Sequence, residues 1–351
     1  MFRPFRLPSL RAGATLIKES FEIETEPITP VFIWNGEILY SKADYNLVND
    51  KVVIVDPVKA LGKIRELKDA FKEEFARAVQ GYKLIFPSTT LPGNILMTND
   101  YLIPASSLKG LIRTAIVNRL AKADPKVYNQ IDANLNMLMT LSRHDAMRRV
   151  RDVARPVEEL LQQNVVFGKS KYNYHALNRL IISDPRITDP ELSLKKVLII
   201  ETVGTFRNEV FVIALEKGKL TYDIKILQPV NYGPYSYLKI LDDKITKNEI
   251  IASLKEYGQL VVEREKKKVS KTDKDFKKYM DFLGTLKVEG DCIPLKIGML
   301  TGHIAKTISL PSNTEQDREQ VMTKLTGHLW DNRTVKLTDA MGVGWIKLCI
   351  R

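Results

Sequence analysis

The chain has 351 residues and a mass of 40.0 kDa, more than one ordinary hydrophobic core holds, so we expect two domains. Its 44% hydrophobic and 27% charged residues exclude a disordered chain, a fibrous repeat and a coiled coil. The longest apolar runs are too short to cross a bilayer, no signal-peptide pattern opens the sequence, and two cysteines cannot form a disulfide framework. We therefore expect a cytoplasmic protein without membrane contact.

The charge balance is strongly positive. The 54 lysines and arginines exceed the 42 aspartates and glutamates, which gives a formal net charge of +12. Such a field attracts polyanions, and nucleic acid is the commonest polyanion of a cytoplasm. The alternative is a lysine-rich surface of the kind found in charge-rich proteomes. Charge alone indicates contact with a phosphate backbone and carries no base specificity.

The N-terminal part predicts strands and then a helix. Residues 21–26 alternate apolar side chains and threonine with glutamate, which is typical of a strand with one buried face. The Asn35-Gly36 pair predicts a hairpin turn. The further predicted elements are a hairpin from Tyr45 to Val55 with its turn at Asn49-Asp50, a Lys-, Glu- and Ala-rich helix at 58–79, and a loop at 88–99.

Helices and strands alternate through the remainder of the chain. Ser106 is the expected N-cap of a helix whose apolar stripe runs from Leu108 to Leu120. Residues 126–163 predict irregular helix. The further predicted elements are strands at 180–183, 197–202, 209–215 and 220–227, a loop at 231–235, helices at 247–257 and 314–326, a glycine turn at 298–302, and a strand after Gly344.

Two segments concentrate positive charge. Residues 126–163 contain an arginine cluster, which includes Arg148 and Arg149 as candidate RNA contacts. Residues 263–278 hold Arg264 and seven lysines against four acids. This second segment is consistent with a solvated helical face or with RNA contact, and its sequence does not choose between them.

Several kinds of chemistry lack their motifs. The histidines, His144, His175, His303 and His328, are scattered, and Cys292 lies far from Cys349, so we expect no metal site. The chain has no Walker phosphate loop, no nucleophile elbow and no dinucleotide fingerprint. We therefore expect no cofactor.

Residues 103–114 form the most informative segment. Lys109 and Arg113 lie one helical turn apart in the first turns of the predicted helix, where the helix dipole already makes the field positive. Cations at this end cost stability unless an anion is bound nearby. Together with Ser106, Ser107 and the free N–H groups of the helix end, they predict a phosphate site. The alternative is an ordinary capped amphipathic helix with exposed basic residues.

This segment, Ile103-Pro104-Ala105-Ser106-Ser107-Leu108-Lys109-Gly110-Leu111-Ile112-Arg113, resembles the signature of the RAMP superfamily of CRISPR proteins, with alanine at 105 in place of glycine. Further stretches resemble, in order, blocks of the fifth Csm-type subunit of type III-A or III-D effector complexes. These stretches are 29–37, 44–56, 166–168 with 180–184, 298–307 and 341–348. The resemblance spans about residues 21 to 350 and implies two RRM-like, ferredoxin-like modules with helical insertions. We place them at residues 1–190 and 191–351.

The resemblance implies a non-catalytic subunit that binds crRNA at its 3′ end and caps the filament of backbone subunits. Its expected partners are crRNA, target RNA indirectly, the backbone and small Csm-type subunits, and helper nucleases that visit this end. The expected RNA-binding residues are Ser106, Ser107, Lys109, Arg113, Gly298, Gly302, His303, Lys306, Thr307, Arg148 and Arg149.

Two other functions remain open. A metal-independent endoribonuclease of the same superfamily needs a base of near-neutral pKa, usually histidine, beside lysine or tyrosine. His303 beside Lys306 is the candidate that the sequence offers, since His144 lies in the arginine cluster and fits a surface position equally well. A basic scaffold for acidic proteins is the third possibility, and no motif favours it.

Overall fold

The computed structural model describes residues 16–48, 51–60, 63, 66–80, 93–167, 170–201, 207–228, 238–269, 276–302, 304–327 and 334–351. Strands and helices alternate along the chain, which confirms the predicted α+β class. Within these ranges, no helix is both long and apolar enough to span a membrane.

The β-strands are β1 (Ile17–Pro27), β2 (Trp34–Tyr40), β3 (Tyr45–Val48), β4 (Lys51–Val55), β5 (Ala76–Gln80), β6 (Asn94–Thr98), β7 (Gln162–Phe167), β8 (Ser170–His175), β9 (Leu180–Ile182), β10 (Arg186–Glu201), β11 (Arg207–Leu227), β12 (Cys292–Lys296), β13 (Thr334–Thr338), β14 (Met341–Gly342) and β15 (Trp345–Ile350). The α-helices are α1 (Pro57–Ala60), α2 (Ala105–Ala123), α3 (Pro125–Thr140), α4 (Arg143–Arg149), α5 (Arg155–Glu158), α6 (Lys239–Asp242), α7 (Lys247–Val269), α8 (Lys277–Thr285) and α9 (Ser312–Thr326). Short 3₁₀ turns cover Leu67–Phe71, Val150–Val153, Ala176–Arg179 and Ile304–Lys306.

A long antiparallel hairpin of β10 and β11 forms the centre of the main sheet, to which 13 of the described strands belong. The C-terminal half of β11 pairs with β1, and β1 pairs in turn with β15, which carries β12 at its outer edge. The N-terminal half of β11 pairs with β6, and β6 with β2, while β5, β4 and β3 extend the sheet beyond β10. Because one sheet joins both halves of the chain, the boundary at residue 190 stays a prediction.

Strand β1 has the alternation that the sequence predicts. Phe21, Ile23 and Thr25 are buried on one face. Glu22 and Glu24 lie on the other face, where Glu24 pairs with the Lys219 ammonium on β11 at 2.9 Å. The period-2 pattern therefore places the apolar residues in the core and leaves the acids to pair across strands.

The hairpin predicted at Asn35-Gly36 is wrong, because β2 runs through this pair. Gly36 adopts a φ of 101°, and the Asn35 side-chain oxygen accepts a hydrogen bond from Glu37 N at 2.8 Å. The register of β2 with β6 shifts between Trp34 and Ile38. The same Asn-Gly chemistry that makes a tight turn here makes a bulge inside a strand.

The helix predicted at residues 58–79 is also wrong. Among the described residues of this segment, the single turn α1 and the 3₁₀ turn Leu67–Phe71 are the helical elements before β5, which pairs antiparallel with β4. By contrast, the predicted hairpin of β3 and β4 is confirmed, with Tyr45 opposite Ile54, and its turn residues 49 and 50 lie outside the described residues. Pairing with β4 outweighs the helix propensity of the Lys-, Glu- and Ala-rich segment.

Several elements are longer than predicted. The strands expected at 209–215 and 220–227 form the single strand β11, and α7 continues to Val269, so it contains the start of the basic segment 263–278. Residues 94–98 of the predicted loop form β6, whereas its residues 88–92 and the loop at 231–235 lie outside the described residues. The confirmed elements are the helix after Pro104 (α2), the irregular helical region (α3 to α5), and the elements α9, β9 and β15.

The main core lies between the sheet and helices α2 and α7. Leu108, Ile112 and Ile116 of α2 and Leu254 and Val261 of α7 are all fully buried in it. Full burial of such a side chain stabilises a fold by about 1.5–3 kcal/mol. A smaller hydrophobic cluster joins α3, α4 and α9 to Ala121 near the end of α2.

The two cysteines form one bridge. The antiparallel register of β12 with β15 places Cys292 opposite Cys349, and a disulfide joins them. The bond ties the edge strand β12 to the C-terminal strand. The distance between the two residues in the sequence gave no sign of this pairing, because it follows from the register of the sheet.

Candidate nucleic-acid interface

Helix α2 begins two residues earlier than predicted, and an acid far away in the sequence caps it. Its N-cap position is Pro104, not Ser106, and the backbone N–H of Ala105 donates to Asp184 Oδ1 at 3.1 Å. Ser106 is exposed and Ser107 is half-buried. Asp184 supplies the negative charge that favours a helix N-terminus, so the fold itself neutralises part of the positive field predicted at this end.

Lys109 is partly committed to the fold. Its ammonium donates a hydrogen bond to the Leu180 carbonyl at 2.7 Å, which ties α2 to the start of β9. The side chain is half-buried, and burial lowers the pKa of its ammonium. An ammonium has further protons to donate, so this bond leaves Lys109 able to contact an anion as well.

Arg113 lies one turn further along the same face and is half-buried. Among the described residues, no carboxylate comes within 4.0 Å of either cation of this pair. Its guanidinium lies close enough to His175 to lower the pKa of that imidazole, after the larger effect of burial and together with Lys109. The turn that begins at His175 ends at Leu180, which Lys109 contacts, so the imidazole lies within the electrostatic influence of both cations. Sequence reasoning missed His175, which comes from β8, far from α2 in the chain.

The glycine turn is a tight loop packed against the segment before β2. Gly298 has a φ of 106°, and a Cβ added there would lie 2.5 Å from the Phe32 carbonyl oxygen. The next residue, Met299, donates its N–H to the same oxygen at 2.8 Å. Gly302 has a φ of 82° but faces open space. Gly298 therefore serves close backbone packing, while Gly302 leaves room for a ligand.

The cations beside this turn include one that the sequence analysis did not single out. Lys306 is exposed at the end of the 3₁₀ turn, and Thr307 is half-buried. Lys336 of β13 is half-buried, and burial lowers the pKa of its ammonium, with further lowering by Lys296 and Lys306. His303, the predicted base beside Lys306, lies outside the described residues.

The glycine turn and α2 are joined through two short connections. The Asn118 side-chain oxygen of α2 accepts a hydrogen bond from Ser309 N at 2.7 Å, which fixes the chain that leaves Thr307. On the other side, Asn99 N, in the lead-in to α2, donates to Ile33 O at 2.7 Å, next to the Phe32 carbonyl that holds the turn. The two predicted groups of site residues therefore belong to one connected part of the fold.

Arg148 and Arg149 lie elsewhere. Both are exposed on α4, which packs in the smaller hydrophobic cluster, and Arg149 donates to the Met137 sulfur at 3.7 Å. In the part of the chain that the structure describes, no hydrogen bond or ion pair connects them to the cations of α2. They form a separate positive surface.

Exposed aromatic residues lie along β2 and after β6. Trp34 is 40% exposed, Tyr40 53% and Tyr101 49%. Strand β2 pairs with β6, and its other edge has no partner strand in the part of the chain that the structure describes. Exposed aromatic rings beside a basic surface are the platforms on which single-stranded bases stack. The sequence alone showed these rings but could not show that they are exposed.

The described residues contain no group of three or more His, Cys, Asp or Glu side chains placed to hold a metal ion. The arrangement is one of cations, backbone amides and exposed rings. Such an arrangement can hold a polyanion with stacked bases.

The sequence profile of the RAMP superfamily matches residues 26–326. The chain therefore belongs to the RAMP superfamily, which confirms the resemblance of the signature segment. No curated protein sequence matches the chain.

Two solved structures share the fold. A chain of the cryo-EM structure of a Csm–crRNA–target RNA ternary complex of a type III-A CRISPR-Cas system matches with a TM-score of 0.63 at 19% identity, over 94% of this chain and 100% of that one. The crystal structure of Csm5 from T. onnurineus matches with a TM-score of 0.54 at 15% identity, over 92% and 99%. At these identities the likeness shows a common fold.

Proposed function

We propose that the chain is a non-catalytic crRNA-binding subunit of a type III CRISPR-Cas interference complex, in antiviral defence. It caps the 3′ end of the guide and contacts the backbone subunits. Its partners are then crRNA, target RNA indirectly, the backbone and small Csm-type subunits, and helper nucleases, in the cytoplasm. Membership of the RAMP superfamily and the fold shared with a chain of a Csm–crRNA–target RNA complex over that chain's whole length support this proposal.

The observation that carries the proposal is the pair Lys109 and Arg113 on α2. Two half-buried cations sit together without a carboxylate of the described residues to neutralise them. Keeping such a pair costs stability, and a phosphate would relieve that cost with charge-assisted hydrogen bonds. The net charge of +12 and the cations beside the glycine turn extend the positive surface along which a backbone can run.

The direct test is a pull-down of the tagged full-length chain from its native cells, followed by sequencing of the bound RNA. We expect mature crRNAs, together with the other subunits of one complex. Crosslinks at nucleotides near the guide 3′ end are expected, and a matched pull-down of the Lys109→Ala/Arg113→Ala variant is expected to lose them. Recovery of no RNA, or of RNA without repeat-derived sequence, would contradict the proposal.

An endoribonuclease is the second candidate: its predicted base is His303 beside Lys306, and His175, on whose pKa Lys109 acts, is the histidine that the structure adds. The contacts of this histidine argue against a base. Its Nδ1 accepts a hydrogen bond from Leu177 N at 3.2 Å, so the neutral ring carries its proton on Nε2 and presents a donor. We therefore expect the purified chain to leave single-stranded RNA and repeat RNA intact, with or without divalent metal. Cleavage that His303→Ala or His175→Asn abolishes, with RNA binding unchanged, would establish the endoribonuclease.

A further inference from the structure

His175 precedes a short turn that lies against α2 and is held by hydrogen bonds at both of its ends. Its Nδ1 accepts the N–H of Leu177 and so caps the 3₁₀ turn Ala176–Arg179. Just after this turn, the Leu180 carbonyl accepts the hydrogen bond from Lys109 of α2. The turn is therefore fixed at its start by the imidazole and at its end by α2. The position of the imidazole relative to Lys109 and Arg113 follows from the fold.

The side chains of His175, Lys109 and Arg113 keep N–H donors that are available to a ligand. Because Nδ1 is an acceptor, the neutral imidazole has its proton on Nε2, the ring atom that points away from the capped backbone. Lys109 has protons beyond the one given to Leu180, and no hydrogen bond of Arg113 occurs within the described ranges. The half-buried group thus presents N–H donors from three side chains and no acceptor.

The charged groups of the neighbouring elements are paired among themselves. Arg179 donates to Leu227 O at 2.8 Å and to Asp242 O at 2.9 Å, and Tyr174 donates to the Asp242 carboxylate. Across from His175 on β7 lies Gln162, which donates to Glu158 at 3.3 Å. From α2, only Lys109 and Arg113 act on the imidazole. Burial, Arg113 and Lys109 all lower the pKa of His175, so the ring is neutral at pH 7.

We propose that His175, Lys109 and Arg113 form a phosphate subsite in which His175 donates Nε2–H to an RNA phosphate oxygen as a neutral ring. This inference rests on the proposed function and adds one residue to its RNA contacts. A protonated ring would have to give up the Leu177 hydrogen bond, since protonation makes Nδ1 a donor. The contribution of His175 to RNA binding is therefore independent of pH through the neutral range.

The test compares the full-length chain with His175→Asn. Asparagine is a good N-cap residue and can accept the Leu177 N–H, but its side chain is too short to reach the phosphate. We expect about a tenfold loss of affinity for a labelled single-stranded RNA of about 30 nucleotides, with the thermal midpoint unchanged. His144→Asn, which removes an exposed histidine on α4, is the matched control and is expected to bind like the parent.

The pH profile and an NMR readout complete the test. The ratio of the two affinities is expected to stay constant from about pH 8 to about pH 6.5, and ¹⁵N spectra of labelled histidine are expected to show the Nε2–H tautomer with and without RNA. Equal RNA binding by the parent and His175→Asn overturns this inference and leaves the proposed function intact. An imidazolium signal in the complex, or a parent affinity that rises on acidification only when His175 is present, overturns it as well. A parent that binds no RNA overturns both.

Discussion

Lys109 and Arg113 are one helical turn apart, but the fold uses them differently. The Lys109 ammonium joins α2 to β9, whereas Arg113 has no ion pair within the described ranges. A single substitution of each therefore separates structure from binding. The sequence could assign both to the same face of a helix, but it could not show that one is also a structural contact.

We predict that Arg113→Ala lowers the affinity for single-stranded RNA by about tenfold or more and leaves the unfolding free energy nearly unchanged. A charge-assisted contact contributes about 1.5–3 kcal/mol, and Arg113 has no hydrogen-bond or ion-pair partner to lose among the described residues. Lys109→Ala is expected to lower the affinity and also to cost about 1 kcal/mol of stability, because the Leu180 carbonyl loses its donor. Fluorescence anisotropy and urea denaturation measure the two effects.

Lys122→Ala is the matched control, since Lys122 is an exposed lysine of the same helix that pairs with Glu256 at 2.7 Å. It removes the same charge and is expected to change the affinity much less. If the Lys109→Ala/Arg113→Ala double variant binds RNA fully and assembles into the complex, the phosphate site on α2 does not exist.

Gly298 makes a second prediction, about stability. Gly298→Ala places a Cβ 2.5 Å from the Phe32 carbonyl oxygen, at a φ of 106°. The Phe32 backbone leaves no room for a Cβ, and a φ of this sign is unfavourable for alanine. We therefore expect the free energy of unfolding, measured by denaturant, to fall by about 1–3 kcal/mol. Gly110→Ala is the control: Gly110 lies inside α2 with no atom within 4 Å of an added Cβ, so it is expected to keep or raise stability. Equal stability of the two variants would show that the turn does not pack as described.

At the scale of elements, a buried charge network joins α7, α8, β12 and β15. Lys296 lies 3.1 Å from the Glu265 carboxylate, and the Tyr279 hydroxyl donates to the same carboxylate at 3.0 Å. The Trp345 indole N–H donates to the Tyr279 oxygen at 3.3 Å. Each of these side chains is almost fully buried. The network therefore fixes how α7 and α8 pack on the sheet.

We predict that Lys296→Met destabilises the chain by about 3–5 kcal/mol, because Glu265 is then a buried charge without its partner. Glu265→Gln/Lys296→Met together are expected to cost less than Lys296→Met alone. Chemical denaturation at neutral pH measures both. The control is Lys217→Met, which removes an exposed lysine paired with Glu191 at 2.9 Å and is expected to change little. A cost for Lys296→Met as small as the control's would contradict the network.

The buried network of Glu265, Lys296, Tyr279 and Trp345 also makes the stability of the chain depend on pH. Burial alone would raise the pKa of the Glu265 carboxyl, but Lys296 and Lys268 hold it below its ordinary value of 4.5. A lowered folded-state pKa contributes stability above the unfolded pKa, and this stability is lost as the pH falls through the folded value. The parent is therefore expected to lose stability more steeply below about pH 4.5 than Glu265→Gln. Parallel acid profiles of the two proteins would contradict the assigned pKa direction.

The sequence predicted correctly those elements whose pattern of apolar residues matches the face that they bury. The apolar stripe of α2 and the alternation of β1 appear in the structure as expected, because each pattern matches the burial of one face. The composition of residues 58–79 predicts a helix, whereas residues 76–79 lie in β5, whose pairing with β4 is a tertiary contact that composition does not reveal. The predicted N-cap of α2 is wrong for a related reason, because Asp184, far away in the sequence, accepts the hydrogen bond expected of Ser106.

At the scale of the whole molecule, the sequence predicted the kinds of residue at the interface better than it predicted which residues lie there. The signature segment and the glycine turn lie in one connected part of the fold, as the hydrogen bonds of Asn118 and Asn99 show. His175 and Lys336 come to the same surfaces from distant strands and have no local motif. Arg148 and Arg149 have the right charge but lie on α4, which packs in the smaller hydrophobic cluster. Proximity across the sheet cannot be read from residue type.

The central proposal is that this surface follows an RNA backbone through its phosphates. The salt dependence of the affinity for single-stranded RNA tests it most directly. Neutralised phosphates release condensed counterions, so the logarithm of the affinity is expected to fall linearly with the logarithm of the salt concentration. We expect a slope of several units for the parent chain, and a slope about one unit shallower for Arg113→Ala. A flat response between low and moderate ionic strength would contradict the claim.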